Sequence, residues 1–124
     1  MSKKRVLVVD DEAGILSFVK ISLSMAGYEV ITTTRGEEGL RLVETAKPDI
    51  MLLDILMTPV TGFDVLEKLR PSSQLPVIVF TAKSDFGERA MKEGANGYLT
   101  KPFMPEQLVN KIEEVLNEHK AETA

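Results

Sequence analysis

Cysteine and tryptophan are absent from this sequence, and histidine occurs only once, at His119. Without cysteine the chain has no thiol nucleophile and no Cys/His zinc site. With a single histidine in the polar C-terminal segment, a Ser-His-Asp triad is nearly excluded as well. The lack of cysteine fits a reducing compartment, so we expect a cytoplasmic protein.

Long apolar runs and excess positive charge are also missing. No run approaches the roughly 18 apolar residues of a membrane span. After the basic start, Val6 to Val9 is too short for the apolar region of a signal peptide. Lysine and arginine number 15 against 19 acids, which gives a net charge of −4. This balance argues against direct binding to nucleic acid or to an anionic membrane.

The run Ile50-Met51-Leu52-Leu53 is the clearest structural signal in the chain. Four large apolar residues in succession predict a strand that is buried on both faces, as in parallel sheets covered by helices. The strand ends at Asp54. In open α/β sheets, ligands bind just beyond the carboxyl ends of the strands, so Asp54 is a candidate site residue.

Five short apolar runs alternate with five segments of helical character. The predicted strands are Val6–Val9, Tyr28–Thr34, Ile50–Asp54, Val77–Thr81 and Tyr98–Thr100. This alternation predicts an α/β fold, a (βα)5 doubly wound parallel sheet with helices on both faces. The expected strand order is the flavodoxin-like 2-1-3-4-5. We expect one domain over residues 1–124, with a core at about 5–118 and a polar C-terminal tail at 119–124.

Chemically capable side chains follow four of the five predicted strands. Asp10 and Asp11 follow the first, and Asp54, Thr81 and Lys101 end the third, fourth and fifth. In the order 2-1-3-4-5 these four strands are neighbours, so their ends share one pocket. One lysine cannot offset three neighbouring carboxylates, and oxygen ligands of this kind favour Mg²⁺. A carboxylate beside Mg²⁺, an ammonium and a hydroxyl suits phosphoryl transfer.

Each of these residues also has a purely structural interpretation. Asp11 or Glu12 is a candidate cap for the following helix. Thr81 is suited to begin a turn, and Lys101 to be a solvated charge. The joint occurrence at four strand ends is harder to explain by capping alone.

Four segments together resemble the receiver domain of two-component response regulators, a CheY-like superfamily, and the similarity covers residues 5 to about 118. They are Val6-Leu7-Val8-Val9-Asp10-Asp11-Glu12, Leu52-Leu53-Asp54, Val77-Ile78-Val79-Phe80-Thr81-Ala82, and Gly94-Ala95-Asn96-Gly97-Tyr98-Leu99-Thr100-Lys101-Pro102-Phe103.

This resemblance implies that Asp54 accepts a phosphoryl group from a histidine kinase or a histidine phosphotransfer protein. It implies that Asp11 binds Mg²⁺ directly, Asp10 binds it through water, and Leu56 contributes a backbone carbonyl. Asp54 itself is also a metal ligand in this scheme. Lys101 pairs with the phosphoryl group, and the Lys101-Pro102 peptide is expected to be cis.

The resemblance also implies a response to phosphorylation. Thr81 moves to hydrogen-bond the phosphoryl group, helped by the backbone N–H of Ala82, and Tyr98 turns inward as an aromatic switch. The surface of the fourth helix, fifth strand and fifth helix then controls a downstream protein or an output domain. Such a protein is a signalling domain rather than an enzyme, is a monomer or a phosphorylation-dependent dimer, and catalyses only its own phosphorylation and dephosphorylation.

The sequence departs from the family pattern in three places. Thr58 stands where the family usually has proline, and Pro59 comes one residue later. Leu56, two residues after the acceptor, cannot hydrogen-bond a hydrolytic water, which predicts a long-lived acyl phosphate. Asn96 and Gly97 replace the paired acids of one subfamily that carries winged-helix output domains.

Two other functions are compatible with parts of this sequence. A receiver-like interaction module that works without phosphorylation is the main alternative, although every residue of the phosphorylation chemistry is present. A small hydrolase or cofactor binder is disfavoured. Aspartyl phosphatases require an acid two residues after the nucleophile, where this chain has Leu56. Dinucleotide binders require a glycine-rich first turn, where this chain has Asp10-Asp11-Glu12.

Overall fold

The structure, a computed structural model, describes residues 3–123 and the side chains of residues 3–120. Five strands alternate with five helices, as the sequence predicted. The strands are β1 (Arg5–Val9), β2 (Glu29–Thr33), β3 (Ile50–Asp54), β4 (Val77–Thr81) and β5 (Gly97–Thr100). The helices are α1 (Ala13–Met25), α2 (Gly36–Thr45), α3 (Gly62–Leu69), α4 (Ser84–Lys92) and α5 (Pro105–Thr123).

Helix α5 continues through the residues of the expected polar tail at 119–124 as far as Thr123, and Ala124 lies outside the described residues. In the part of the chain that is described, no helix combines the length and the apolar composition of a membrane span.

The five strands form one parallel sheet in the order β2-β1-β3-β4-β5, which confirms the predicted topology. The register pairs Val9 with Leu53 and Asp54 with Phe80. It also pairs Thr81 with Thr100. Because all strands run in one direction, their carboxyl ends meet at one edge of the sheet.

Each face of the sheet carries its own apolar core, since successive side chains of a strand point to opposite faces. On one face, α1 and α5 cover the even-numbered residues of the central strands; this core includes Val8, Leu52, Phe80, Val19 and Ile112. On the other face lie α2, α3 and α4, with a core that includes Leu53, Val79, Leu66 and Ala90. All five residues of β3 are buried. The strand that carries Asp54 is therefore held from both sides.

Two local features explain how helices α2 and α3 sit against this sheet. Thr61 begins α3 with a capping box, in which its side chain and that of Asp64 each accept the other residue's backbone N–H. Gly39 in α2 lies against β1. A Cβ there would lie 2.8 Å from Cγ2 of Val9, so glycine permits close packing.

Candidate functional site

Three predicted site residues meet at the carboxyl edge of the sheet. Asp10 follows β1 and is fully buried, and Asp54 at the end of β3 is 4% exposed. The ammonium of Lys101, just after β5, donates to Oδ2 of Asp10 at 3.1 Å and to Oδ1 of Asp54 at 3.3 Å. The interpretation of Lys101 as a solvated charge is wrong, because only 17% of its side chain is exposed. One cation thus joins two buried carboxylates that lie 44 residues apart in the chain.

The run Asp10-Asp11-Glu12 forms a cluster of carboxylates beside this pair. One oxygen from each of the three lies within 4.8 Å of the others. Glu12 also approaches the ammonium of Lys101, at 3.6 Å. Glu12 was not among the predicted site residues, although its place as the third acid after β1 was the available signal.

The capping interpretation of these acids is not supported. Glu12 is the N-cap residue of α1, but its side chain makes no capping hydrogen bond. Instead, its backbone N–H donates to Oδ1 of Asp10 at 2.9 Å. Asp10 therefore accepts a hydrogen bond at each carboxylate oxygen, from Glu12 and from Lys101.

Burial dominates the electrostatics of the site. Burial first and the charge of Asp10 second raise the pKa of Asp54 to about 6, with Lys101 acting in the opposite direction. Burial also raises the pKa of Asp10, against the opposing hydrogen bonds from Glu12 and Lys101. For Lys101, burial lowers the pKa, but its bond to Asp10 and the charges of both carboxylates raise it overall. The single ammonium does not neutralise the cluster.

Thr81 lies at the same edge, but its hydroxyl is hydrogen-bonded to Lys83 rather than to the carboxylates. Its side chain is buried, and its Oγ1 accepts the backbone N–H of Lys83 at 3.1 Å and donates to the carbonyl of Lys83 at 3.2 Å. Thr81 therefore does begin a turn, which was the structural interpretation of this residue. Because Lys83 is the N-cap residue of α4, these two bonds tie the end of β4 to the start of that helix.

Tyr98 in β5 lies farther from the carboxylates. It pairs with Val79 and packs partly buried against the core under α4. Its ring lies directly on the backbone of Gly87, where a built Cβ would come within 2.5 Å of the ring Cγ. Sequence reasoning missed this role of Gly87, because a glycine inside a short polar helix predicts only a weaker helix.

The remaining predicted residues lie in the loops that border the site. Leu56 follows β3 and exposes 54% of its side chain. Ala82 is exposed in the turn between β4 and α4. The peptide bond between Lys101 and Pro102 is cis, as the resemblance implied, and that between Thr58 and Pro59 is cis as well.

This donor set is suited to a hard divalent cation. Carboxylate oxygens from successive residues converge at one rim, and the buried ammonium offsets only part of their charge. Mg²⁺ prefers oxygen ligands and retains several waters, so an open acidic rim of this kind fits it. A buried carboxylate with an ammonium within hydrogen-bonding distance also suits a nucleophile that attacks a phosphoryl group.

Comparison with known proteins identifies relatives of this chain. A family model described as the response regulator receiver domain matches residues 6–113. A probable transcriptional regulator ycf27 of Guillardia theta is 41% identical over 117 residues, which are 93% of this chain and 46% of that protein. The alkaline phosphatase synthesis transcriptional regulatory protein PhoP of Bacillus subtilis is 36% identical over 116 residues, 91% of this chain and 48% of that protein. The chain spans about half the length of these curated relatives.

Solved structures show the same fold. The chemotaxis protein CheY4 of Vibrio cholerae superimposes with a TM-score of 0.86 at 34% identity, over 92% of this chain and 99% of that one. A receiver domain protein of Methanospirillum hungatei gives a TM-score of 0.87 at 35% identity, over 98% of this chain and 99% of that one.

Proposed function

Because the chain belongs to the response regulator receiver family, we propose that Asp54 accepts a phosphoryl group from the phosphohistidine of a histidine kinase or a histidine phosphotransfer protein. The observation that carries this proposal is the buried carboxylate of Asp54, 3.3 Å from the ammonium of Lys101 and beside the acidic cluster. A carboxylate in a rigid strand, with a cation at its oxygen, is prepared to attack phosphorus.

The chemistry is a transfer between two nucleophiles. A carboxylate oxygen of Asp54 attacks the phosphorus, and the bond between phosphorus and the donor imidazole nitrogen breaks. The electron pair leaves with the imidazole, which is protonated by solvent, and the acyl phosphate remains on Asp54. Lys101 offsets negative charge on the phosphoryl oxygens, since its ammonium already lies at the carboxylate that forms the new bond.

Four groups would hold Mg²⁺ in this proposal: the carboxylates of Asp10, Asp11 and Asp54 and the backbone carbonyl of Leu56. Both oxygens of Asp10 already accept hydrogen bonds, which supports its binding of the metal through water. When bound, the ion supplies positive charge to the transferring phosphoryl oxygens.

The response to phosphorylation is a further part of the proposal. Thr81 leaves Lys83 and hydrogen-bonds the phosphoryl group together with the backbone N–H of Ala82, and Tyr98 turns inward. The altered surface of α4, β5 and α5 then binds a downstream protein or an output domain. We propose that residues 1–124 act as a single receiver domain that serves as phosphoacceptor rather than as an enzyme turning over a separate substrate.

Nucleic-acid binding is not part of the proposed activity of these residues, because their net charge is −4. The relatives named as transcriptional regulators are about twice as long as this chain. We propose that the receiver is cytoplasmic. We also propose that it is a monomer before phosphorylation, and that phosphorylation either leaves it monomeric or causes it to dimerise.

Intact-mass spectrometry after incubation with acetyl phosphate and Mg²⁺ tests the proposal. We expect the wild type to gain one phosphoryl group, and to lose it on treatment with hydroxylamine, which cleaves acyl phosphates. Asp54→Asn should gain none. EDTA should suppress the gain in the wild type.

Asp49→Asn is the matched control, because Asp49 lies at the opposite end of β3 and accepts the backbone N–H of Arg5 at 2.7 Å. This variant should be phosphorylated like the wild type. A phosphoryl gain in Asp54→Asn would move the acceptor to another residue. A folded wild type that gains no phosphoryl group would favour the phosphorylation-independent module instead.

A further inference from the structure

We propose that Gly87 is the residue that sets the position of Tyr98. Because Gly87 has no side chain, the Tyr98 ring packs directly on the backbone of α4, in a contact that we call the seat. A larger residue at position 87 would abolish this contact. The seat holds the ring in the orientation of the unphosphorylated protein, so its removal favours the phosphorylated arrangement. This inference rests on the proposed function and concerns the regulation of that site.

The seat is a direct contact between the Tyr98 ring and the backbone of a helix. A Cβ built on Gly87 would lie 2.5 Å from Cγ and 2.7 Å from Cε2 of Tyr98, closer than packed carbon atoms approach. Within the described side chains, the Tyr98 hydroxyl makes no hydrogen bond. Packing against α4 and the core beneath it therefore holds the ring.

Strand β5 cannot shift easily to relieve such a clash. Asn96, two residues before Tyr98, accepts hydrogen bonds at Oδ1 from the backbone N–H of Val77 at 2.9 Å and from Arg70 at 3.1 Å. Arg70 also donates to the carbonyl of Gly94 at 2.9 Å. The start of β5 is thus fixed to α3 and β4, so a side chain at position 87 must displace either the ring or α4.

Displacement of α4 leads to the same result as displacement of the ring. Lys83, the N-cap residue of the helix, makes two backbone hydrogen bonds with the Thr81 hydroxyl. Movement of α4 would break these bonds and free Thr81 to reach the phosphoryl group on Asp54. Rotation of Tyr98 off Gly87 would move the aromatic side chain directly.

Both routes destabilise the unphosphorylated arrangement more than the phosphorylated one. A receiver that populates the binding-competent arrangement more often binds a phosphoryl mimic more tightly, in proportion to that population. Gly87→Ala should therefore increase affinity at Asp54 although position 87 does not touch the ligand.

Titration with beryllium fluoride in the presence of Mg²⁺, followed by ¹H–¹⁵N NMR, measures this affinity. We expect Gly87→Ala to lower the half-saturating concentration by a factor of about three to ten. Gly14→Ala is the matched control, because Gly14 is also helical and a Cβ there meets nothing within 4 Å. Gly14→Ala should change the affinity by less than about twofold, since it leaves the population of the binding-competent arrangement unaltered.

A double-mutant cycle with Tyr98→Ala separates action through the ring from action on the helix. With the ring removed, Gly87→Ala should no longer change the affinity, and it should raise the melting temperature because alanine favours helix. With the ring present, the same substitution should lower the melting temperature. Equal effects of Gly87→Ala in both backgrounds would overturn the proposal.

Wild-type protein provides a measurement that needs no variant to fold. The Hα resonances of Gly87 should be shifted upfield by the Tyr98 ring in the free protein and should lose this shift with beryllium fluoride. Retention of the shift at saturation would refute the seat as a switch. A wild type that fails to bind beryllium fluoride would instead contradict the proposed function, while the free-protein shift and the stability cycle would still test the contact.

Discussion

Asp54→Asn should make the metal-free protein more stable. Burial and the charge of Asp10 raise the pKa of Asp54 from 3.8 to about 6, which means that the folded protein disfavours the ionised carboxylate. A shift of this size corresponds to about 3 kcal/mol between the two protonation states. Because Asp54 is 4% exposed, solvent screening removes little of this energy. A neutral asparagine of the same shape avoids that cost.

We expect the free energy of unfolding of Asp54→Asn to exceed that of the wild type by about 1–3 kcal/mol at pH 7.5 in EDTA. The lower end of this range allows for the weaker hydrogen bond that Lys101 makes with a neutral amide than with a carboxylate. For a domain of this size, that is a rise in melting temperature of about 3–15 °C. Urea unfolding followed by circular dichroism measures the free energy, and thermal unfolding provides an independent reading.

The pH dependence gives the sharper test of the cause. A raised carboxyl pKa means that the folded state binds more protons than the unfolded state between pH 3.8 and about 6. The contribution of Asp54 to wild-type stability should therefore fall through this window as pH rises. Asp54→Asn lacks this loss. The gap between the two proteins, meaning the difference in their free energies of unfolding, should therefore grow from near zero at pH 4 to its full value above pH 7. Mg²⁺ should then narrow the gap, because it binds the ionised wild-type site more tightly.

Asp64→Asn is the control with the opposite sign. Its hydrogen bonds with Thr61 lower the pKa of Asp64, so its stabilisation is present above pH 3.8 and is lost on acidification. The same chemical change should thus lower stability at Asp64 and raise it at Asp54. A gap between wild type and Asp54→Asn that is absent at pH 7.5, or that does not vary between pH 4 and 7.5, would refute the electrostatic reasoning.

Three further predictions concern separate parts of the molecule. Thr61→Ala removes the capping box of α3 and should lower the free energy of unfolding by about 1 kcal/mol, measured with urea. Arg70→Met leaves the carbonyls of Gly94 and Ser73 without their guanidinium donor and should cost about 1–3 kcal/mol in the same assay, whereas an unchanged midpoint would show that these bonds contribute nothing. The acyl phosphate of the wild type should persist far longer than seconds after removal of acetyl phosphate, because the Leu56 side chain cannot orient a water, and Leu56→Asn should shorten its lifetime in a time course of intact mass.

The parts of the fold that the sequence predicts are those encoded by local pattern. The run Ile50 to Leu53 is apolar without interruption because both its faces are buried, and the structure has the predicted strand from Ile50 to Asp54. Thr61 and Asp64 predict a capping box because their spacing alone satisfies it. The convergence of Asp10, Asp54 and Lys101 also follows from local signals, since each ends or follows a strand and the strand order brings these ends together.

What the sequence does not predict depends on contacts between distant segments. Gly39 and Gly87 look alike as helix-weakening residues, yet one admits Val9 and the other admits the ring of Tyr98. Arg70 resembles an ordinary charged residue at the end of a helix, but its guanidinium binds the carbonyl of Gly94, 24 residues away. No spacing rule identifies such partners, because they depend on the packed distance between elements rather than on the periodicity within one.

A phosphorylation switch requires a rigid acceptor and a mobile reporter, and this fold places them on different strands. β3 is buried along its whole length, so Asp54 stays fixed and its carboxylate bears the cost of desolvation. On the reporter side, α4 is short and its only buried residues within the described chain are Gly87 and Ala90. Its position depends on the Thr81 hydroxyl at its start and the Tyr98 ring one turn later, together with the contacts of Phe86 and Arg89 with Phe63 of α3. Because Thr81 belongs to the strand beside β3, the proposed response begins at a residue whose hydroxyl is hydrogen-bonded to the N-cap residue of α4.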